Sequence, residues 1–348
     1  MFGVRFVSNF VVNVVIGLFG SIGNILAVAT LFRDRKKNVT SLLLVVLAIG
    51  DTTQIWSFIL FKSLSVLCDY QKADAGACYY RMYIWPYARV YGRPVYMFGL
   101  LLSNWTVVLV TIHRAMAIMR PHKAKDFGTI PRVRIQCSIT ALLATIMAVV
   151  ISFEEKVTQH PGCTPNIDVN YTPLKRNRIY TIIVRHLLIN GFGKVLPILL
   201  LIILTVTLVG GIRKASKQST LLGRRGQEAQ KQEHQLTVLL ISVAVVFLLC
   251  QIPHVTLYGV PVGLMRCPEF GYYYQNITDN LAMLNVSINF ILYCLVGNRF
   301  RRMLAELCTP SCVKKLNKPV TSRTSVTLLT PNTEENKTSP RKTSLLQP

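Results

Sequence analysis

The residues Asn285–Leu304, NVSINFILYCLVGNRFRRML, decide the fold of this chain. Their first half is apolar and carries two asparagines one helical turn apart, Asn285 and Asn289, followed by Tyr293. Buried amides are costly in lipid unless they have partners, so both asparagines are expected to face protein or a hydrated cavity. After Gly297 the stretch becomes basic and amphipathic, which is typical of a helix lying on a membrane surface. The stretch therefore predicts a membrane-spanning helix followed by a surface helix.

The rest of the chain repeats the apolar pattern. Of its 348 residues, 51% are hydrophobic, and they cluster in blocks. The blocks are about 20 residues long, which is the length needed to cross roughly 30 Å of hydrocarbon. A soluble domain would instead distribute apolar residues with a period of about 2 or 3.6. The predicted spans are Val7–Phe32, Ser41–Leu67, Pro86–Met119, Arg132–Phe153, Tyr180–Ile212, Glu233–Val260 and Tyr273–Val296. We therefore expect an all-α membrane protein, a seven-transmembrane helix bundle with a short amphipathic helix after the seventh span.

The charge pattern orients this bundle. The net charge of +24 lies largely in loops and in the C-terminal tail, so nucleic acid is not the expected partner. An odd number of spans places the termini on opposite sides, and most basic loop residues share a side with the C-terminus. The positive-inside rule makes that side cytoplasmic. We expect a multi-pass plasma-membrane protein with an extracellular N-terminus. A transporter with inverted repeats is not favoured, because no paired halves with broken spans are evident.

Several polar residues lie inside the predicted spans. Asp51 ends LAIGD in span two, and a carboxylate there indicates either a functional site or a neutral, hydrogen-bonded acid. Asn24 in span one is either a packing residue or a functional one. Ser103 in span three is expected on the face that meets Asp51. Arg114 closes span three and either extends to the membrane surface or has a function, and Glu233 opens span six.

These motifs resemble those of rhodopsin-like (class A) G-protein-coupled receptors. The form NxxxNFxxYCxxGxxFRR is similar to the family's seventh helix and short following helix, with Phe290 in place of the usual proline, as in many invertebrate peptide receptors. The segments WPYARVYGRP (85–94), SFEE (152–155) and NFILYC (289–294) are similar to invertebrate FMRFamide-type receptors. The resemblance covers about Gly17–Leu307. The predicted domains are a short extracellular N-terminus (1–6), a seven-transmembrane receptor domain with its amphipathic helix (7–307) and a cytoplasmic tail (308–348). The tail is polar, basic and rich in serine and threonine, so it is expected to be disordered. The short N-terminus fits either a ligand that needs no N-terminal contacts or a truncated sequence.

The resemblance implies three groups of functional residues. The internal sodium site and activation cluster comprises Asn24, Asp51, Ser103, Asn285, Asn289 and Tyr293, with Asp51 as the metal ligand, because a hard cation prefers oxygen ligands. The G-protein coupling switch comprises His113, Arg114 and Glu233, in which the acid pairs with the arginine. The hinge comprises Pro197, Cys250, Gln251 and Pro253, because a proline in mid-span removes a backbone hydrogen bond.

The chain departs from the family pattern within the switch region. His113 and Ala115 flank the arginine, Thr205 stands where the family has a tyrosine, and Gln251 replaces a tryptophan. These departures keep open a receptor-like protein with poor coupling. A transporter or channel with Asp51 on its path is a further alternative. An enzyme is not expected, because no metal-ligand spacing, nucleophile motif or phosphate loop is evident.

The resemblance also narrows the ligand. Met283 stands where an opsin has its lysine, and Tyr96 stands where amine receptors have an aspartate. We expect an amidated neuropeptide of FMRFamide type, with a non-peptide chemosensory ligand as the alternative. An arginine of the peptide would bind a carboxylate, and tyrosines would stack on its aromatic side chain. The ligand-binding candidates are Tyr96, Glu154, Glu155, Tyr273 and Asp279. Asp279 would otherwise pair with Arg89, Arg93 or Arg185, and the bases near the outer mouth would also suit an acidic peptide.

The remaining predictions concern modifications and partners. Arg89 stands where the family has a disulfide cysteine, so the family's usual bridge is not expected. Four cysteines are expected on the oxidising side and allow three pairings: Cys68, Cys78, Cys163 and Cys267. Cys78 and Cys163 are the disulfide candidates, because both lie in the loops that flank span three. Asn170 is the glycosylation candidate, and Cys308 and Cys312 are palmitoylation candidates. The expected partners are an extracellular peptide, a heterotrimeric G protein, arrestin bound to the phosphorylated tail, and membrane lipids. No cofactor is expected beyond a structural sodium ion.

Overall fold

The computed structural model describes residues 7–33, 38–64, 79–160, 166–218, 224–256 and 268–308. Within these ranges, seven helices are long and apolar enough to cross a membrane. They are built on α1 (Val12–Phe32), α2 (Val39–Phe58), α3 (Trp85–Met119), α4 (Ile130–Ser152), α5 (Leu196–Gln218), α6 (Arg224–Thr256) and α7 (Pro268–Val296), and α8 (Asn298–Cys308) follows. The seven-helix prediction is therefore confirmed.

Wider, π-helical turns extend several spans. Val7–Val11 precedes α1, Ile59–Ser63 follows α2, Tyr80–Ile84 precedes α3, and Thr181–Val195 precedes α5. Short helices lie at Pro121–Phe127, Pro173–Arg176 and Arg178–Tyr180. The fourth span begins at Ile130 rather than at the predicted Arg132, because Thr129 is extended and Pro131 fits the first helical turn.

A β-hairpin joins the fourth and fifth spans. Strand β1 (Glu155–His160) pairs antiparallel with β2 (Asn166–Tyr171), with Glu155 opposite Tyr171 and His160 opposite Asn166. The sequence analysis did not predict this hairpin. Strand β1, EKVTQH, is largely polar and lacks the alternation of apolar and polar residues that indicates a half-buried strand. Strand β2, NIDVNY, carries that alternation, and the sequence analysis did not use it.

The core lies where α2, α3, α5 and α6 meet. Its fully buried side chains include Leu43, Val108, Leu201 and Phe247. Helix α4 lies at the periphery and buries only a few of its residues. Its exposed apolar side chains include Ile135, Ile139, Leu142, Ile146 and Val149. This distribution suits a helix with one face on the bundle and the others in lipid.

Helices α2 and α3 approach most closely at two glycines. A Cβ atom placed on Gly99 would lie 2.8 Å from the backbone nitrogen of Gln54 and 2.8 Å from the backbone oxygen of Gly50. Small residues permit such backbone contact between membrane helices. Asp51 follows Gly50, and Ser103 lies one turn beyond Gly99, so this contact brings the two polar side chains together.

The transition from α7 to α8 explains the stretch that decides the fold. The Arg301 guanidinium donates hydrogen bonds to the carbonyl oxygens of Cys294 at 2.9 Å and Leu295 at 2.7 Å. These carbonyls belong to the last turn of α7, where helical partners are missing. Phe300 is buried against Phe290 and Tyr293, with ring centroids 5.9 and 5.6 Å apart. The predicted amphipathic helix is thus present and packs one face on the bundle.

Candidate functional site

A buried polar cluster joins three helices. The Ser103 hydroxyl of α3 donates to Asp51 Oδ1 at 2.6 Å, and the Asn289 side-chain amide of α7 donates to Asp51 Oδ2 at 2.7 Å. Asp51 is only 1% exposed. Each carboxylate oxygen therefore has a donor inside the bundle, where an unsatisfied oxygen would be costly. The contacts bring together three residues that the sequence analysis placed in one cluster.

The other predicted members of this cluster lie nearby but bond differently. The Asn24 side-chain amide donates to the carbonyl oxygen of Val286 at 3.4 Å, which ties α1 to α7. Asn285 is buried, although no described hydrogen bond joins it to Asp51. Tyr293 is buried against Phe300 of α8.

The donor set of the cluster has a defined chemistry. Asp51 supplies two carboxylate oxygens, Ser103 a hydroxyl and Asn289 an amide oxygen, all of which are ligands for hard cations. Among the described residues, no group of three or more His, Cys, Asp or Glu side chains is placed to hold a metal ion. A single carboxylate with neutral oxygens fits a monovalent cation better than a divalent one.

The predicted coupling switch is only partly described. The Arg114 guanidinium donates to the hydroxyl of Thr40 at the start of α2. His113 shares a 2.8 Å hydrogen bond with the side chain of Gln136 on α4. The Glu233 side chain lies outside the described residues, so its pairing with Arg114 stays a prediction. We call this part of the bundle the Arg114 end. A cavity of about 120 Å³ opens there between α1, α2, α6, α7 and α8, with Thr40 and Tyr293 in its wall.

The hinge candidates lie at the start of α5, where Pro197 is the second residue, and in the last two turns of α6. Pro253 lies inside α6, and its carbonyl oxygen accepts a 3.0 Å hydrogen bond from the Tyr274 hydroxyl of α7. Cys250 and Pro197 are buried. Gln251 is 1% exposed, and neither atom of its side-chain amide has a hydrogen-bond partner among the described residues. The residue that replaces the family's tryptophan is therefore an unsatisfied buried amide.

An ion-pair cluster forms where α4 leaves the bundle, which we call the Glu154 end. Arg93 of α3 contacts Glu154 at 2.8 Å and Glu155 at 2.9 Å. Lys175 contacts Glu155 at 2.6 Å, and Arg89 donates to Glu155 at 3.2 Å. The Tyr180 hydroxyl donates to Glu154 at 3.2 Å, and Arg185 lies 3.9 Å from the same carboxylate. We call these four bases and two acids, with Tyr180, the Glu154 cluster.

The Glu154 cluster sets the protonation state of Glu155, which lies outside the membrane-spanning segments. Burial alone would raise the pKa of Glu155. Hydrogen bonds from Arg89 and Lys175, and the charges of Arg93 and Arg89, outweigh burial and lower this pKa to about 2. Burial lowers the pKa of the Lys175 amine, an effect that its hydrogen bond to Glu155 opposes. Glu155 is therefore a carboxylate throughout the physiological range of pH.

This depressed pKa predicts a pH dependence of stability. Because the folded-state pKa of Glu155 lies below its ordinary value of 4.5, its contribution is complete above that value and is lost as the pH falls toward about 2. We expect Glu155→Gln to lower the melting temperature of purified protein at pH 7. The difference from the unmodified protein should shrink as the pH falls from 4.5. Asp126→Asn, at an exposed acid of the short helix Pro121–Phe127, is the control. An equal effect of both substitutions at every pH would contradict the expectation.

The other ligand-binding candidates have partners within the protein. Asp279 forms an ion pair with Lys62 of the second span, rather than with Arg89, Arg93 or Arg185 as the alternative interpretation proposed. Tyr96 is buried against the rings of Phe58 and Phe61, at centroid distances of 5.9 and 5.7 Å. Tyr273 is exposed. The three candidate acids are thus paired internally, and a role in ligand binding stays a prediction.

The structure describes only some of the predicted modification sites. Asn170 is exposed on β2, and its side-chain amide donates to the Thr158 hydroxyl at 2.7 Å. Cys78, Cys163 and Cys312 lie outside the described residues, as do the segments 1–6 and 309–348. Cys308 ends α8, but its side chain is outside the described part. The predicted disulfide, lipid attachments and tail therefore stay predictions.

Seven membrane-spanning helices with a buried polar cluster at their centre place this protein in the class of seven-helix membrane proteins. The family model described as serpentine type 7TM GPCR chemoreceptor Srw matches residues 11–310, and the chain belongs to that family. A FMRFamide receptor of Drosophila melanogaster is 24% identical over 306 residues, which cover 85% of this chain and 53% of that receptor. The chain thus spans about half the length of this relative. The resemblance that the motifs predicted is confirmed.

The sequence analysis missed the partners of Glu154 and Glu155. It assigned both acids to a ligand, whereas Arg93 and Lys175 approach them from α3 and from the segment after the hairpin. One signal was available, because two adjacent acids at the end of an apolar span require cations if they are buried. The surplus of basic residues in the same region supplies those cations.

Proposed function

We propose that this protein is a cell-surface receptor that binds an extracellular amidated neuropeptide of FMRFamide type and activates a heterotrimeric G protein. The observation that carries the proposal is the Asp51 cluster, whose hydrogen bonds join α2, α3 and α7 at the centre of the bundle. Such a cluster ties helix positions to one another, so a ligand at one end can influence the other. Similarity to the Drosophila FMRFamide receptor supports the choice of ligand.

We place the Glu154 end outside the cell and the Arg114 end in the cytoplasm. Basic residues of the short helix Pro121–Phe127 and of α8 lie at the Arg114 end, which fits the positive-inside rule. Arg114 and the adjacent cavity would then face the G protein. The C-terminal tail would follow α8 on the same side, where its serines and threonines would be available for phosphorylation and arrestin binding.

The proposed mechanism is a shift between two arrangements of α6. Pro253 cannot donate the backbone hydrogen bond that its position in a helix would require, so α6 can bend there. The bonds of Tyr274 to Pro253 and Thr256 tie this point to α7. A ligand that binds the active arrangement more tightly than the inactive one is sufficient to shift the equilibrium.

A sodium ion is proposed as a stabiliser of the inactive arrangement. Asp51, Ser103 and Asn289 would supply its oxygen ligands. The inactive state would then be favoured by sodium and weakened by Asp51→Asn, which keeps the shape of the side chain but removes its charge.

The proposal predicts a response that depends on Arg114. Cells that express the protein should give a saturable second-messenger response to one or more members of a library of amidated neuropeptides. Arg114→Ala should abolish it at equal surface expression, because the arginine faces the partner. Arg134→Ala, which removes an exposed base from α4, should leave it intact. If the unmodified receptor gave no response at good surface expression, with a working reporter, the proposal of a peptide ligand would be contradicted.

A second candidate is a receptor for a non-peptide chemosensory ligand. The description of the matching family as chemoreceptors favours it. The same cells, challenged with a panel of small polar and volatile compounds, separate the two candidates. A saturable response to a small compound, lost in Arg114→Ala and absent with the peptides, would establish the second.

A further inference from the structure

The Glu154 cluster contains more positive than negative charge. Arg89, Arg93, Lys175 and Arg185 surround only two carboxylates, Glu154 and Glu155, so the contacts leave a surplus of two positive charges. The described residues around it add to this surplus. Residues 85–93, 154–160 and 166–185 contain seven Lys and Arg residues and three Asp and Glu residues. This end of the bundle therefore attracts anions.

The four bases of the Glu154 cluster differ in their distance from the acids and in the exposure of their side chains. Arg93 and Lys175 approach the acids to within 2.9 Å, and their side chains are 18% and 9% exposed. Arg185 lies 3.9 Å from Glu154, and its side chain is 39% exposed. No closer ionic contact of Arg185 occurs in the part of the chain that the structure describes. Glu154 already has Arg93 and the Tyr180 hydroxyl as closer partners, so Arg185 is the base whose guanidinium is most available to another group.

The same contacts argue against an arginine of the ligand at this place. A ligand guanidinium would have to displace Arg93 or Lys175 from carboxylates that are almost fully buried. The displaced base would remain in the cluster without its counter-charge, which is costly in a region of low dielectric. An incoming carboxylate meets no such obstacle, because it adds negative charge where positive charge is in excess.

We propose that the ligand carries an acidic residue whose carboxylate binds Arg185 at the edge of the Glu154 cluster. This inference rests on the proposed function, since it specifies the chemistry of a peptide ligand. Guanidinium and carboxylate form paired, charge-assisted hydrogen bonds, which a lysine at the same position reproduces only as a single point contact. The acidic residue would lie outside the amidated end of the peptide, which would enter the bundle.

The test uses two synthetic peptides that differ only in charge. FMRFamide extended at its N-terminus by Asp-Asp is compared with the isosteric Asn-Asn extension, by binding to purified receptor and by second-messenger response. On the unmodified receptor the Asp-Asp peptide should bind about tenfold more tightly or better, as expected for a hydrogen-bonded charge pair. Arg185→Gln should remove this preference, and Arg185→Lys should retain part of it. Arg178→Gln, an exposed base near the start of the same span, should leave it unchanged.

The outcomes separate the inference from the proposed function. Equal binding of both peptides, with a normal response, would overturn the inference and leave the receptor function standing. A preference that survives in Arg185→Gln would overturn the role of Arg185. Absence of binding and response with both peptides, at good surface expression, would contradict the peptide receptor and the inference with it.

A lipid phosphate is the other source of an anion for this arginine. Receptor in nanodiscs of phosphatidylcholine is compared with receptor in nanodiscs that also contain phosphatidylserine. One outcome is that anionic lipid raises the melting temperature in an Arg185-dependent manner and the peptide preference is absent. Arg185 then binds a lipid headgroup, and the inference is wrong. A peptide preference of the same size in both nanodiscs supports the proposed site.

Discussion

Gly99→Ala is expected to prevent most of the receptor from reaching its folded state. The added Cβ would lie 2.8 Å from the backbone nitrogen of Gln54, 2.8 Å from the backbone oxygen of Gly50 and 3.2 Å from the Cα of Gln54. These neighbours are backbone atoms, so no side chain can rotate away, and α2 must separate from α3. Overpacking of this kind costs about 1–3 kcal/mol or more. The separation would also draw Ser103 away from Asp51, so the cost of a weakened buried hydrogen bond is added.

Gly210→Ala is the matched control. A Cβ atom at Gly210 meets no atom within 4 Å. Alanine is the better helix former by about 1 kcal/mol, so this variant should be as stable as the unmodified protein or slightly more stable. The measurements are surface expression and the melting temperature of purified receptor. Similar behaviour of the two variants would show that the contact between α2 and α3 is looser than the structure indicates.

The sequence predicted the bundle and its central cluster because the membrane simplifies the problem. Hydrocarbon thickness sets the length of a span, and the helical period sets which residues share a face. Asp51, Ser103 and Asn289 are polar residues in apolar segments, so they had to meet one another or water. Their contacts in the structure follow from that requirement.

No such rule predicted the ion-pair partners at the Glu154 end of the bundle. Asp279 pairs with Lys62 across 217 positions of sequence, and Glu155 pairs with Arg93 across 62. Near the membrane surface a charge has water as an alternative partner, so burial does not oblige it to find one particular base. The hairpin carries Glu155 toward α3, and only its second strand, NIDVNY, alternates polar and apolar residues. The adjacent acids Glu154 and Glu155 indicated that cations would be needed, but tertiary placement decides which bases supply them.

Asn289→Leu and Gln251→Leu are expected to change stability in opposite directions. Both side chains are buried amides on membrane-spanning helices, and Gln251 is longer by one methylene group. The Asn289 amide donates to Asp51 at 2.7 Å, so leucine would leave one carboxylate oxygen of a buried acid without its donor. Such a loss costs about 1–3 kcal/mol, and more where the acceptor is charged.

The amide of Gln251 has no hydrogen-bond partner among the described residues. Leucine there removes a polar group that is buried without compensation, a change worth about 1–3 kcal/mol of added stability. The melting temperature of purified receptor should therefore fall in Asn289→Leu and rise in Gln251→Leu. Asn289→Asp and Gln251→Met provide a second test of the same reasoning. A second carboxyl group beside Asp51 should destabilise as leucine does, and an apolar side chain of similar length at position 251 should stabilise. If Gln251→Leu and Gln251→Met both lowered the melting temperature, the amide would have a partner, such as a bound water molecule, that its burial does not reveal.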